Sequence, residues 1–183
     1  MNLKQNLENL LTTLDNKPYT KQSVLREFKK RVQKNSLIKW ENITDHICSF
    51  FIPVHLPSQS LYLVHHKKAS DWIPPGGHID RGELPFDTIK REFNEELSFR
   101  LSNEPINFFN ISIKHIENNP RNTCKLHYDL WFTVAMKDKH NFTYLEKEFH
   151  DAKWIDINKA LGKSVFPHIN DMYQKMKDFV FIS

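Results

Sequence analysis

One predicted helix carries a dense set of carboxylates. Over residues 85–97 the apolar side chains recur at helical spacing, and Glu92, Glu95 and Glu96 lie beside that apolar face on an arc of roughly 100°. Like charges one turn apart destabilise an isolated helix by about 0.2–0.5 kcal/mol per pair. A divalent cation reverses this, because Mg²⁺ binds one or two carboxylates together with substrate phosphates. The pattern predicts a cation site, and a solvated acidic face is the alternative.

The segment before this helix concentrates the glycines of the chain. Three of only 4 glycines, Gly76, Gly77 and Gly82, fall within seven positions, directly after Pro74 and Pro75. Glycine lets backbone amides and carbonyls approach a ligand or a metal closely. The sequence therefore predicts a backbone cradle over residues 74–77, followed by a turn that delivers Glu83 to the N-terminal side of the acidic helix.

The spacing of these residues resembles the Nudix box. That box is Gly, five residues, Glu, seven residues, Arg-Glu, an apolar residue, any residue, Glu-Glu, any residue, Gly and an apolar residue. Its matching positions here are Gly77, Glu83, Arg91, Glu92, Phe93, Glu95, Glu96 and Phe99. The one departure is Ser98 in place of the final glycine. We expect Ser98 to adopt the left-handed turn of that glycine at a cost of about 1 kcal/mol, without affecting the carboxylates.

The resemblance implies a hydrolase that cleaves a nucleoside diphosphate linked to another moiety and uses Mg²⁺ or Mn²⁺. By similarity, Glu95 and Glu96 are metal ligands, and the carbonyl of Gly76 or Gly77 joins them. Glu92 corresponds to the position that ligates metal or acts as the base.

Three further catalytic residues follow from the same resemblance. Arg91 and Glu83 would orient the ligands, with Glu83 reaching a metal through water. Many family members supply the general base from a loop outside the box, and here the candidates are Glu146 and Glu148, with Glu148 preferred. The alternative for each is an ordinary solvated loop carboxylate.

Histidines around the box suggest contacts with the substrate. His65, His66 and His78 flank the predicted cradle, and His127 alternates with Asp129 on one face of a predicted strand. We take His78, His127 and Asp129 as candidate substrate-binding residues. Ordinary polar roles in the core or at the surface are the alternative, and the histidine spacing matches no known metal-ligand pattern.

The pattern of apolar and polar residues in the rest of the chain predicts an α+β fold. Leucines at helical spacing over residues 2–14 and an apolar stripe capped by Thr20 indicate an N-terminal helical hairpin. Residues 67–82 are predicted as a loop. Strands are predicted over residues 43–54, 60–66, 107–116, 126–136 and 152–156, and helices over 157–161 and 168–179. The order of these predicted helices and strands, together with the resemblance, predicts an α/β/α sandwich. Residues 1–38 are then a helical extension and residues 39–183 the Nudix-like domain.

Composition excludes several classes of protein. The 183 residues are 39% apolar and include 14 Phe, which supports a packed core and argues against disorder. No apolar run is long enough to span a bilayer, and the first residues lack the regions of a secretory signal. Cys48 and Cys124 are too few for a disulfide framework, so we expect a cytoplasmic protein. The net charge of +4 permits nucleic acid as a partner without indicating it.

Three functions are consistent with these observations. The leading one is Mg²⁺-dependent hydrolysis of a nucleoside triphosphate, a nucleotide sugar or an ADP-ribose-like substrate. The second is a non-catalytic nucleotide sensor, which the complete set of box carboxylates disfavours. The third is an isopentenyl diphosphate isomerase, which needs a catalytic cysteine that only Cys48 could supply. The N-terminal helices pack on the main domain in our interpretation, and a homodimer contact or a substrate lid is the alternative.

Overall fold

The computed structural model describes residues 1–116 and 123–181. The helices are α1 (Leu3–Thr12), α2 (Gln22–Val32), α3 (Pro85–Leu97), α4 (Ile157–Ala160) and α5 (Pro167–Phe179). The strands are β1 (Asp45–His55), β2 (Ser60–His66), β3 (Asp71–Ile73), β4 (Gly76–His78), β5 (Ile106–His115), β6 (Leu126–Ala135) and β7 (Phe149–Asp156). Over the described ranges, seven strands form one sheet with the order β3-β2-β1-β6-β5, in which β4 pairs with β1 and β7 pairs with β2.

The chain divides into two compact units. The first unit takes its described residues from 1–50, 77–89 and 108–132, and the second from 51–76, 90–107 and 133–183. Helix α3 and strands β1, β4 and β6 each contribute residues to both units.

The N-terminal helices are core elements of the first unit. Leu7, Leu11 and Leu25 are buried, and Phe28 of α2 meets the ring of Tyr128 edge-on at 5.3 Å. The guanidinium of Arg31 is 2% exposed and pairs with Asp45 at 2.7 Å. The predicted hairpin is confirmed. The predicted cap is wrong, since Lys21 is the N-cap of α2 and the hydroxyl of Thr20 donates to Asn110 Oδ1 at 3.4 Å instead.

The second unit is built on strand β2. Residues 60–64 of this strand are buried, and β2 pairs antiparallel with β1, β3 and β7. The apolar face of α3 contributes Phe93, which stacks on Phe51 at 4.8 Å and meets Phe142 edge-on at 5.4 Å. This aromatic packing fixes the part of α3 that carries the predicted metal ligands.

The predicted loop over residues 67–82 contains two short strands. In β3, Ile73 pairs with Val64 and Trp72 pairs with His65, while β4 consists of Gly76, Gly77 and His78. Three-residue strands carry no detectable alternation, and glycine is depleted in strands, so neither strand was predictable from the local pattern. Strand β7 likewise begins at Phe149, three residues before its predicted start.

Among residues 1–116 and 123–181, no helix has the length and apolar character that crossing a membrane requires.

Candidate active site

Glu83 is held by two hydrogen bonds within the first unit. Its Oε2 accepts from the amide of Asp80 at 3.1 Å and from the hydroxyl of Thr88 at 2.8 Å. Gly82, immediately before it, has φ +82°, a conformation that favours glycine. The turn predicted before Glu83 is thus present, and the carboxylate is fixed against the first turns of α3.

Glu96 is the buried carboxylate of the second unit. Its side chain is 5% exposed, and its Oε2 accepts a 2.8 Å hydrogen bond from the amide of Gly76. Gly76 has φ +135°, which is also in the region that favours glycine. The carbonyl of Pro75 accepts from the amide of Phe51 at 3.0 Å, which anchors the segment leading to Gly76. The backbone cradle therefore donates a hydrogen bond to a carboxylate of the acidic helix.

Burial raises the pKa of the Glu96 carboxyl well above its usual value. The negative charges of Glu92, Glu148 and Glu95 raise it further, and the hydrogen bond from Gly76 partly offsets them. Carboxylates that lie close together repel one another, and burial increases this repulsion. A hard divalent cation compensates it, so such a group favours binding of the cation. The residues present therefore fit Mg²⁺ or Mn²⁺.

Arg91 connects the two other acidic residues of the helix. Its Nη1 donates to Glu92 Oε1 at 2.9 Å and to Glu95 Oε2 at 3.1 Å. The side chain of Glu92 is 12% exposed and that of Glu95 is 54% exposed. One guanidinium thus contacts two carboxylates, and the orienting role that the resemblance implies for Arg91 stays a prediction.

The loop that carries Glu148 is attached to the end of α3 within the second unit. The amide of Leu145 donates to the carbonyl of Glu96 at 2.9 Å, and the amide of Glu148 donates to the carbonyl of Leu145 at 2.9 Å. The carbonyl of Glu148 accepts from the amide of Lys67 at 2.8 Å. Glu146 is exposed, whereas Glu148 is partly buried and its charge acts on Glu96.

Ser98 ends the acidic helix in the conformation that we expected. Its φ is +49°, the left-handed region, and its side chain is exposed. The expectation that serine takes the place of the glycine in this turn is confirmed.

His78 and His127 are half-buried and lie beside the buried His46 in the first unit. The ring of His78 is 4.8 Å from that of His46 and 5.6 Å from that of His127, measured between centroids. Desolvation and the neighbouring His46, His78 and lysines lower the pKa of His127 to about 3. His65 belongs to the second unit, where its ring contacts those of Trp72 and His150. His78 and His127 remain predicted substrate contacts.

Asp129 is buried in the first unit at 1% exposure. Its Oδ2 accepts from the hydroxyl of Ser112 at 3.2 Å, and that hydroxyl accepts from the indole of Trp131 at 2.9 Å. Burial raises the pKa of Asp129 to about 7. These contacts are those of a polar group in the core, the alternative kept open above, and a role in substrate binding stays a prediction.

Sequence reasoning missed two members of the histidine cluster, His46 and Cys48. They are separated by one residue in β1, so their side chains project from the same face of the strand. The spacing of these two residues in one strand was the signal for a shared site. By itself it did not identify a cluster, because the other two members, His78 and His127, come from β4 and β6.

Comparison with known proteins gives the class and the family. Residues 46–179 match the NUDIX domain family model. Bis(5'-nucleosyl)-tetraphosphatase [asymmetrical] of Mus musculus is 24% identical over 118 residues, which is 64% of this chain and 74% of the mouse protein. Together with the carboxylate-bearing helix, these matches define a pyrophosphohydrolase. The chain belongs to the Nudix family.

Solved structures confirm the fold. The dihydroneopterin triphosphate pyrophosphohydrolase of E. coli aligns with a TM-score of 0.64 at 15% identity and covers 73% of this chain and 94% of its own. The Ap4A hydrolase of C. elegans aligns with a TM-score of 0.59 at 16% identity, covering 73% and 97% respectively. The predicted α+β fold, a Nudix-like α/β/α sandwich with an N-terminal helical hairpin, is confirmed.

Proposed function

We propose that this protein hydrolyses a diphosphate bond in a nucleoside diphosphate linked to another moiety, with Mg²⁺ or Mn²⁺ as cofactor. The observation that carries the proposal is the burial of Glu96 against the amide of Gly76, among the charges of Glu92, Glu95 and Glu148. Such a group of carboxylates is costly in a metal-free core and favourable around a divalent cation.

Each residue of the helix has a distinct role in this proposal. Glu95 and Glu96 hold the cation, with the carbonyl of Gly76 or Gly77, and Glu92 is a further ligand. Arg91 keeps Glu92 and Glu95 oriented through its two hydrogen bonds. When bound, the metal neutralises the diphosphate and so favours attack of water on phosphorus.

Glu83 has a positioning role in the first unit. Its carboxylate is already engaged by Asp80 and Thr88, so it stabilises the turn that follows the cradle. A water held by the same carboxylate would extend its reach to a metal.

Glu148 is the general base in our proposal. Its loop is attached to the carbonyl of Glu96 through Leu145, and its charge raises the pKa of Glu96. A carboxylate near the metal ligands suits removal of a proton from the attacking water. Glu146 is exposed, and the charges that raise the pKa of Glu96 are those of Glu92, Glu148 and Glu95.

The names of two related proteins indicate the substrate class. The mouse relative is named as a bis(5'-nucleosyl)-tetraphosphatase, and the E. coli structure is that of a dihydroneopterin triphosphate pyrophosphohydrolase. Both names refer to enzymes that act on polyphosphate compounds, which supports a small nucleotide-like substrate. A cytoplasmic location stays a prediction. A homodimer remains a prediction, as does the boundary after residue 38.

A substrate panel tests the proposal. The purified protein is incubated with Mg²⁺ or Mn²⁺ and with nucleoside triphosphates, dinucleoside tetraphosphates, nucleotide sugars, ADP-ribose and dihydroneopterin triphosphate. We expect release of a nucleotide or phosphate product from at least one compound, abolished by a chelator and by Glu95→Gln. Absence of product from the whole panel, or full activity of Glu95→Gln, would contradict the proposal. Tight binding without turnover would favour the sensor function instead.

A further inference from the structure

Four side chains of the first unit, His46, Cys48, His78 and His127, converge to form what we call the His–Cys cluster. Each offers one nitrogen or sulfur ligand atom, and these four atoms all lie within 4.8 Å of one another. The cluster contains no carboxylate. It is therefore chemically distinct from the acidic residues of the active site, which offer oxygen atoms alone.

Strand pairing brings the cluster together. His46 and Cys48 project from one face of β1, while β4 and β6, which carry His78 and His127, are the strands hydrogen-bonded beside it. Ligands from three paired strands are held by the backbone rather than by loops. A bound ion would therefore need only side-chain adjustment.

The tautomer of the His46 imidazole follows from its hydrogen bond to the backbone. Its Nδ1 lies 2.9 Å from the carbonyl of Asn42, and because a carbonyl only accepts, Nδ1 carries the hydrogen. The lone pair of the neutral ring is then on Nε2, which lies 3.7 Å from the sulfur of Cys124. Metal-binding histidines are typically fixed in this way, with the second ring nitrogen donating to a carbonyl.

Burial supplies an independent indication of a missing ligand. His46 is 0% exposed and Cys48 is 1% exposed. The Nε2 of His127 is buried and has no hydrogen-bond partner among residues 1–116 and 123–181. Because buried polar atoms nearly always have a partner, an unsatisfied ring nitrogen on a residue of this group requires an explanation. A metal ion would satisfy it.

We propose that the His–Cys cluster binds one zinc-class transition-metal ion through three imidazole nitrogens and one thiolate. Zinc prefers this nitrogen and sulfur donor set, and sites with four protein ligands are structural rather than catalytic. Ligand atoms of a tetrahedral zinc site lie about 3.5 Å apart, so the cluster contracts by roughly 1 Å on binding. The ion would cross-link β4 to β1 and β6. It would thereby also hold the segment that leads from β4 to Glu83.

Cobalt spectroscopy of the full chain tests this site. Metal-free protein is titrated with Co²⁺ in excess Mg²⁺, which occupies the carboxylates, and Zn²⁺ is then added in competition. We expect one Co²⁺ per chain, the visible bands of tetrahedral cobalt, a thiolate-to-cobalt charge-transfer band, and displacement by one equivalent of Zn²⁺. Metal analysis of the protein as isolated should find zinc, and its removal should lower the melting temperature.

The two cysteines provide a matched pair of variants. Cys48→Ser should lose the charge-transfer band and bind Zn²⁺ at least about 100-fold more weakly. Cys124→Ser should keep both, and Cys48 is then the only thiol of the chain. This variant decides the question even if Cys48→Ser fails to fold. No band in the wild type or in Cys124→Ser, or wild-type zinc affinity in Cys48→Ser, would overturn the proposal. Hydrolysis is not a readout here, so the result is independent of the proposed function.

Discussion

The amide of Gly76 donates a 2.8 Å hydrogen bond to the carboxylate of Glu96, twenty residues further along the chain. The bond connects the glycine cradle with the acidic helix inside the second unit. Gly76 has a φ of +135°, which residues with a side chain rarely adopt. The glycine thus has a conformational purpose, and the buried carboxylate depends on it.

Replacing Glu96 should separate activity from stability. Glu96→Gln keeps an oxygen that accepts from Gly76 but removes a buried charge among Glu92, Glu95 and Glu148. We expect hydrolysis to fall by about 100-fold or more, while the melting temperature in metal-free buffer rises. Steady-state assays and thermal unfolding with chelator measure the two effects. The exposed Glu146→Gln is the control, and unchanged hydrolysis in Glu96→Gln would refute its role as a ligand.

Two neighbouring glutamates allow a paired test of the general base. Glu148→Gln should lower kcat by about 10²–10⁴-fold and flatten the acidic limb of the pH–rate profile, since a proton acceptor is lost. Glu146→Gln, two positions away and exposed, should leave both unchanged. Equal effects of the two variants would argue for a general influence of loop charge and against a base at position 148.

Replacing Ser98 should stabilise the protein at a position that takes no part in catalysis. Because its φ of +49° disfavours any residue with a Cβ, Ser98→Gly should raise the free energy of unfolding by about 1 kcal/mol. Ser98→Ala retains the strain and should give no gain. Urea unfolding of the three proteins is the measurement. A gain from alanine equal to that from glycine would show that the serine side chain, not the backbone, is the source.

Asp129 should make stability depend on pH. Its pKa is raised to about 7 in the folded protein, against 3.8 for the ordinary group. The folded state therefore holds an extra proton between those values. Stability falls as the pH rises from about 4 to 7 and stays low above that range, by up to about 4 kcal/mol in all.

Asp129→Asn tests this dependence. The amide cannot ionise, so the difference in unfolding free energy between variant and wild type should shift in favour of the variant from pH 5 to pH 8. Urea unfolding over a pH series gives the slope, and Asp138→Asn, at an exposed position, is the control. An unchanged slope in Asp129→Asn would mean that other groups carry the pH dependence.

The sequence pattern was sufficient to predict those features that depend on residues close together in the chain. The apolar period of α3, Pro85 at its first position and the left-handed turn at Ser98 were all predictable, because each depends on residues within a turn or two. The same holds for strands β1, β2 and β6, whose β-branched and aromatic runs are long enough to show.

Features that depend on distant partners were not predictable. Strand β3 exists because Trp72 and Ile73 find partners in β2, and nothing in a three-residue segment reveals them. Thr20 has a capping side chain but bonds to Asn110, ninety positions away. In both cases tertiary hydrogen bonds outweighed the local preference.

The sequence by itself determined the family, the acidic helix and its list of carboxylates, since these rest on residue types at fixed spacing. Only the tertiary structure decided which carboxylate is buried, because burial of Glu96 comes from packing around α3 and from the amide of Gly76. It also decided that His46, Cys48, His78 and His127 meet. These residues are scattered over 82 positions, and strand pairing, which no local spacing encodes, brings their ligand atoms within 4.8 Å.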